Sequence, residues 1–378
     1  MRSPADLRAF VDFVKAAGIA GIFCYHLYGI YVGAPTITKM LRFGILRYLL
    51  VSTTDIAGYI SAFFQVSFSL GSIGAELFVI ASGFGLCHSH LLQRRNWRAF
   101  YGRRFLRVAP LYYAALLFAF FGNTFLLGNP FYASAEGLKV LAYHLLFLQT
   151  FNESYIPYGF FYFVAIIVQL YLLFPLLVKL MESASYRLPA FVLSFFLSPV
   201  LEMVFQFLGV GFKGVLVTDY LPYFMLGMLI AESLFRGGFL SRMTGDIRTA
   251  FIAFAALVAT LYLISYRVDY NRTAKTAIVL FTFFSLPLSF EILKQVRAEG
   301  VARLLSYSSY AFFLTHVFFL KLGLLFFLKR GILNRPLSWV LIGSGIFVTA
   351  MISSSLFQKG YDSALGFFSG RSRSARAA

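Results

Sequence analysis

Residues 159–177 read GFFYFVAIIVQLYLLFPLL and contain no charged side chain. An α-helix rises about 1.5 Å per residue, so about 20 apolar residues are enough to cross the ~30 Å hydrocarbon core of a bilayer. Similar apolar stretches recur along most of the chain. The sequence therefore predicts an all-α, polytopic membrane protein.

The composition agrees with this class. The 378 residues are 60% hydrophobic and only 13% charged, and the mean hydropathy is +0.78. A soluble domain carries roughly a quarter charged residues. The net charge of +18 is expected to reflect basic cytoplasmic loops rather than nucleic-acid binding, because Lys and Arg accumulate in loops on that side of a membrane.

Ten apolar stretches are predicted to cross the membrane as a helix bundle. They cover residues 11–33, 69–91, 107–127, 158–180, 188–209, 215–235, 249–267, 275–294, 306–328 and 337–357. An eleventh apolar piece, 138–151, is short for a span and is expected not to cross fully. The expected organisation is one membrane-embedded domain, residues 1–358, followed by a short basic cytoplasmic tail, residues 359–378.

The distribution of arginine predicts the orientation. Stretch 93–107 contains six arginines and no acidic residue, which is typical of a cytoplasmic loop. With ten spans, the basic loops 236–248 and 294–303 lie on the same side, and both termini are cytoplasmic. If 138–151 crossed the membrane, these two loops would change sides and contradict the charge bias.

Titratable side chains inside apolar spans are costly, so each is a candidate functional residue. Lys15 and His26 are eleven residues apart in the first span, which places them on one helix face about 16 Å apart. Glu76 is counted to the same depth in the second span, so a carboxylate contact that orients the His26 ring is expected. The alternative is structural, with a snorkelling lysine and a histidine bonded to a neighbouring helix.

Other polar positions in the spans are weaker candidates. Glu202 lies at a similar depth to Glu76, and Gln169 and His316 lie near the membrane midplane. The two histidines of LCHSH, residues 86–90, are two positions apart and face different sides of a helix, so no metal site is predicted.

The stretch YGRRFLRVAP, residues 101–110, groups three arginines. Arg103, Arg104 and Arg107 have the spacing of one side of a helical turn. Pro110 is expected to bend or start the third span. A guanidinium fork binds phosphate oxygens in bidentate fashion. The alternative is a basic anchor that contacts lipid headgroups.

The order of these elements resembles the acyltransferase-3 family of integral membrane acyltransferases, over roughly residues 11–328. The matching pieces are Lys15 with His26 after ten intervening residues; Gly74, Glu76, Phe78, Ser82 and Gly83; Arg103, Arg104, Arg107, Pro110 and Tyr112; QLYLLFPLL at 169–177; and SYSSYAFFLTH at 306–316. Two departures accompany the resemblance. The family usually has arginine at the Lys15 position, and many members carry paired acidic residues before Gln169 that this chain lacks.

The resemblance implies transfer of an acyl group, most often acetyl, from acyl-coenzyme A to a sugar hydroxyl of a cell-envelope glycan or glycolipid. It implies a bacterial cytoplasmic membrane, no metal, His26 as general base and Glu76 as its orienting partner. The residues expected to bind the coenzyme A phosphates are Lys15, Arg103, Arg104 and Arg107. The residues expected in the acceptor site or its pocket are Tyr112, Gln169, Tyr171, Glu202 and His316.

Two other classes remain open from the residues themselves. Intramembrane His and Glu side chains also serve proton coupling in transporters or flippases of glycan-lipids, although no inverted repeat is visible. A non-catalytic membrane scaffold is the other class, but it has no need of titratable side chains at matched depth. The motifs do not distinguish lipopolysaccharide, exopolysaccharide, peptidoglycan or a small glycolipid as acceptor, and they do not specify the oligomeric state.

Overall fold

The computed structural model describes residues 4–31, 56–93, 96–126, 130–151, 159–210, 215–236, 279–280, 299–328 and 338–368. Within these ranges every regular element is a helix. The predicted all-α class is therefore confirmed. The predicted spans 249–267 and 275–294 lie outside the described residues except for positions 279 and 280, as does the end of the predicted tail.

Long helices make up most of the described chain. In chain order they are α1 (Pro4–Tyr31), α2 (Ile56–Leu70), α3 (Gly74–Leu92), α4 (Trp97–Phe121), α5 (Ala135–Leu145), α6 (Tyr162–Glu182), α7 (Ala184–Phe207), α8 (Leu221–Arg236), α9 (Glu299–Leu328) and α10 (Ser338–Phe368). Among the described residues, seven helices are long and apolar enough to cross a membrane, namely α1, α3, α4, α6, α7, α9 and α10. A multi-pass membrane protein is confirmed, and the total of ten spans stays a prediction.

The chain packs into two compact units. The first unit contains Met1–Phe78 and Asp246–Ala378, and the second contains Val79–Gly245. Helix α3 therefore contributes its first five residues to the first unit. Helix α10 runs to Phe368, so residues predicted as the start of a tail are helical.

In the first unit, α1 meets the start of α3 through facing glycines. A Cβ atom on Gly74 would collide with the carbonyl oxygen of Gly18, and one on Gly71 with that of Gly21. Residues without side chains allow helix backbones to approach this closely. Because 18 pairs with 74 and 21 with 71, the two segments run antiparallel, and the contact fixes their register.

Helices α1 and α9 run parallel within the same unit. Ser306 donates a 2.6 Å hydrogen bond to Asp12 near the start of both helices. The Tyr31 hydroxyl donates to the Leu320 carbonyl at 3.1 Å at the end of α1. If both helices are membrane spans, they begin on the same side of the membrane, so an odd number of spans must lie between them in the chain. The predicted arrangement places seven spans between α1 and α9, which agrees with the structure.

Helix α10 returns antiparallel to α9. The hydroxyls of Thr315 and Ser354 are 3.0 Å apart, and the Tyr307 hydroxyl donates to the Asp362 carboxylate. The end of α10 therefore lies on the side where α1 begins. This agrees with termini on one side of the membrane, and the assignment of that side to the cytoplasm stays a prediction.

In the second unit, α4 and α6 are antiparallel neighbours. The Tyr101 hydroxyl donates to the Leu172 carbonyl at 3.2 Å, while the Tyr112 and Phe161 rings meet at 5.6 Å. A full crossing between these two helices would make them parallel. Helix α5 between them has 11 residues, or about 16 Å of helix, which is too short for a span. The geometry agrees with the prediction that 138–151 does not cross.

We expect cysteines introduced at Ala133 and Ser154 to be labelled from the same side of the membrane, because they flank the non-crossing α5. The measurement is labelling by an impermeant maleimide in intact cells, after Cys24 and Cys87 are replaced by serine. A cysteine at Ser241, on the predicted opposite side, serves as the control. Labelling of the first two positions from opposite sides would show an extra crossing and invert the later loops.

Helix α4 begins ten residues earlier than the sequence predicts. Asn96 caps it by accepting a 2.9 Å hydrogen bond from the Arg98 backbone N–H, and the helix starts at Trp97. Pro110 lies inside the helix and does not start it. The arginines of residues 101–110 therefore belong to the first three turns of α4.

Candidate functional site

Two histidines from distant parts of the sequence meet in the first unit. His26 on α1 and His316 on α9 have ring centroids 5.2 Å apart, with ring planes inclined by 50°. His26 is half-buried, whereas His316 is 0% exposed. Of the two imidazoles, only that of His26 is accessible to a ligand.

The His316 ring is held by the backbone of its own helix. Its Nδ1 lies 2.7 Å from the Phe313 carbonyl oxygen and 3.1 Å from that of Phe312. A carbonyl oxygen only accepts hydrogen bonds, so Nδ1 carries the proton and donates it. In the neutral ring the lone pair is then on Nε2.

Aromatic side chains surround this histidine pair. The Phe312 ring stacks on His316 with centroids 5.8 Å apart and planes 7° from parallel. Phe23 lies 6.5 Å from the His316 ring and 5.0 Å from that of Phe347. Apolar surroundings of this kind strengthen the hydrogen bonds that form within them.

Lys15 and His26 lie on one face of α1, as predicted. The helix is continuous from Pro4 to Tyr31, so the eleven-residue spacing gives about 16 Å between them. Both side chains are half-buried. Cys24, also half-buried, is turned about 200° from His26 and cannot form a Cys–His pair with it on this helix.

Glu76 does not lie at the depth of His26. The pairing of Gly18 with Gly74 places Glu76 level with residue 16 of α1, which is about 15 Å along the helix from His26. Glu76 is also turned about 200° from Gly74 and so faces away from α1. The predicted carboxylate–imidazole contact is wrong. The Glu76 side chain is buried at 1% exposure.

Arg103 and Arg107 form an exposed basic face near the start of α4. Both are exposed, and their four-residue spacing places them on the same side of the helix. Two guanidinium forks on one accessible face suit the oxygens of a phosphate group.

Arg104 has a different environment from the other two arginines. Its guanidinium carbon lies 5.7 Å from the Phe100 ring centroid and 5.4 Å from that of Tyr171. These are cation–π contacts, and the second joins α4 to α6. The expected single face of three arginines is thus reduced to Arg103 and Arg107, and Tyr171 contributes to helix packing.

Tyr112 is the centre of a buried polar cluster in the second unit. Its hydroxyl lies 2.9 Å from Nδ1 of His144 and accepts a 3.2 Å hydrogen bond from the Gln149 amide. Gln149 also donates to the Phe161 carbonyl at 3.1 Å. Since Tyr112, His144 and Gln149 are all 0% exposed, the cluster fixes α5 against its neighbours.

Gln169 donates a 2.9 Å hydrogen bond to the hydroxyl of Thr150, which follows Gln149 in the chain. Two predicted pocket residues, Tyr112 and Gln169, therefore bond to the consecutive residues Gln149 and Thr150, which the sequence did not single out. The sequence feature that could have identified these side chains is the presence of polar residues within the short apolar piece 138–151. Glu202, a further predicted pocket residue, is half-buried on α7.

Residues 8–357 match the family described as an acyltransferase domain, which is nearly the whole chain. The chain belongs to the acyltransferase-3 family. No curated protein and no solved structure matches it. Together with its long apolar helices, this membership identifies a multi-pass membrane acyltransferase.

In this acyltransferase, part of the motif formed by residues 74–83 has a packing role. Gly74 is the site of backbone contact with α1, and the Phe78 ring lies 3.0 Å from the position of a Cβ atom on Gly18. Among the described residues, no group of three or more His, Cys, Asp or Glu side chains is arranged to hold a metal ion.

Proposed function

We propose that this acyltransferase moves an acetyl group from coenzyme A, on the cytoplasmic side, to a hydroxyl of a cell-envelope glycan or glycolipid in a bacterial inner membrane. The observation that carries the proposal is the accessible imidazole of His26, backed by a buried second imidazole, inside a chain of this family. An imidazole accepts and releases protons near neutral pH, as transfer to a hydroxyl requires.

In the proposed reaction, His26 is the general base. One ring nitrogen takes the proton of the acceptor hydroxyl while the hydroxyl oxygen bonds to the acyl carbon. The bond between that carbon and the coenzyme A sulfur breaks, and the proton passes from His26 to the thiolate. An ester and free coenzyme A result. Glu76, which is buried and turned away from α1, takes no part in orienting the ring.

Arg103 and Arg107 are the proposed donor-binding residues. Both are exposed on one face of α4, which makes them available to the coenzyme A phosphates. Lys15 belongs to the first unit and stays a separate expectation as a phosphate-binding residue, because an ammonium group is a point charge and cannot make the two-point contact of a guanidinium group. Arg104, packed against two aromatic rings, has a structural part in this proposal.

Replacing Arg103 or Arg107 by lysine is expected to weaken coenzyme A binding by about 10-fold, although the charge is kept. The loss arises because lysine offers a point charge in place of a planar fork. Affinity is measured in nanodiscs at several salt concentrations, since exposed charge contacts are screened by salt. Arg98→Lys is the matched control, because Arg98 is exposed on the same helix and turned about 180° from Arg107.

An insertion anchor would give a different result. Lysine serves the positive-inside bias as well as arginine does. Unchanged donor affinity in both Arg103→Lys and Arg107→Lys would leave the basic face as a headgroup anchor and remove the donor site from this end of α4.

A further inference from the structure

We propose that a cavity in the second unit binds the primary ammonium group of a phosphoethanolamine lipid headgroup. The cavity lies where the last turns of α3, α6 and α8 meet, and its space of about 20 Å³ holds one water-sized group. Its lining includes the carboxylates of Glu182 and Glu232, the imidazole of His90 and several apolar side chains, while none of the described residues that line it is a lysine or an arginine.

The two carboxylates of the cavity differ in how their charge is balanced. Glu232 is 4% exposed, and its Oε2 lies 2.6 Å from Nη1 of Arg187. The Nε of Arg187 also donates to the Met181 carbonyl at 3.0 Å, which holds the guanidinium group beside Glu232. Glu182 is exposed and forms no ion pair with any residue that the structure describes. The cavity therefore keeps one unbalanced negative charge and attracts a cation.

The lining of the cavity favours an ammonium group over a metal ion. Within the described ranges of the chain, His, Cys, Asp and Glu side chains form no cluster of three or more that could hold a metal. A primary ammonium group has three N–H donors, which the oxygens of Glu182 and Glu232 can accept. The trimethylammonium group of a choline headgroup has no N–H donor and exceeds the space for one water-sized group.

The position of the cavity favours a lipid as the source of the ammonium group. Glu182 is the last residue of α6, a helix long and apolar enough to cross a membrane, so the cavity lies at the level of the headgroups. Lys179 is exposed three residues earlier, which places the two Cβ atoms about 5–6 Å apart. In phosphoethanolamine, four bonds of about 1.5 Å each join nitrogen to phosphorus. One headgroup therefore reaches Glu182 with its ammonium group and Lys179 with its phosphate.

Replacing Glu182 by glutamine is expected to weaken binding of phosphatidylethanolamine by about 10-fold, because glutamine keeps the length of the side chain and loses its charge. Native mass spectrometry of the purified full-length protein measures binding of dioleoyl phosphatidylethanolamine and dioleoyl phosphatidylcholine at matched concentrations. The wild type is expected to prefer the first lipid, and Glu182→Gln to bind the two alike. Lys179→Gln is expected to weaken both lipids equally, because both carry the phosphate.

Glu136→Gln is the matched control in the same unit. Glu136 is an exposed carboxylate on α5, 3.8 Å from the Lys139 ammonium group, and it does not line the cavity. We expect this variant to keep the wild-type preference for phosphatidylethanolamine. Thermal unfolding in detergent without added lipid checks that every variant is folded.

Three results would overturn the inference. The first is equal binding of the two lipids by the wild type, and the second is an unchanged preference in Glu182→Gln. The third is displacement of the lipid by free ethanolamine at a comparable concentration, which would assign the cavity to a soluble amine. None of these measurements uses acyl transfer, so their failure leaves the proposed function of the enzyme untouched.

Discussion

Replacing His26 by alanine is expected to lower the rate of acyl transfer by about 10²- to 10⁴-fold while the protein still inserts and folds. The expected loss follows from removal of the proposed general base, which in the proposed reaction takes the hydroxyl proton as the new ester bond forms. His26 is half-buried on α1, so its ring contributes less to packing than its neighbour Phe23, which is 2% exposed. The activity loss should therefore exceed any change in stability.

The measurement is release of coenzyme A thiol and appearance of acylated acceptor by purified protein in nanodiscs. Cys24→Ala is the matched control, because Cys24 is half-buried on the same helix and turned about 200° from His26. Donor affinity should be unchanged in His26→Ala, since the phosphate contacts are assigned to other residues. Full transfer activity in a well-folded His26→Ala preparation would falsify the assignment of the base.

Replacing Gly74 by leucine is expected to prevent assembly of the first unit. A Cβ atom at this position already collides with the carbonyl oxygen of Gly18 and lies 2.8 Å from the Ile22 side chain. The colliding atom belongs to the backbone of α1, which, unlike a side chain, cannot change rotamer to relieve the collision. Overpacking a core typically costs about 1–3 kcal/mol, and a leucine against backbone exceeds that range because the two helices must separate.

Gly85→Leu is the matched control for this substitution. Gly85 lies on the same helix, is exposed, and has nothing within 4 Å of a built Cβ atom. Size-exclusion profiles and thermal unfolding in detergent report the outcome. We expect aggregation or loss of the Gly74→Leu protein and wild-type behaviour of Gly85→Leu. Equal stability of the two variants would mean that α1 and α3 do not meet at Gly74.

The membrane class and most span positions were predictable from the sequence, because repeated apolar runs of about 20 residues are typical of helices that cross a bilayer. The start of α4 was not predictable from the apolar runs. Its first turns carry arginines, which depress the hydropathy there, while the Asn96 cap begins the helix upstream of them. Hydropathy reports the part of a helix that contacts lipid, and capping reports where the helix begins.

The candidate site was predictable only in part. His26 and His316 were each identified as polar residues in apolar spans, but no local pattern predicts that they meet. Glu76 was misassigned because its depth was counted from an assumed membrane edge. The register of α3 is set instead by the contacts of Gly18 with Gly74 and of Gly21 with Gly71. His144 was missed because a lone histidine in a short apolar segment has no distinctive spacing.

The parallel pairing of α1 with α9 has a consequence for biosynthesis. His26 and His316 are separated by 290 residues of chain. At a translation rate of about 5–20 residues per second, roughly 15 seconds to a minute passes between the synthesis of α1 and that of α9. During that interval the ribosome has delivered the first histidine to the bilayer, and the second does not yet exist. A nascent chain halted before residue 299 therefore lacks the imidazole pair, so the proposed catalytic centre is among the last features of the enzyme to form.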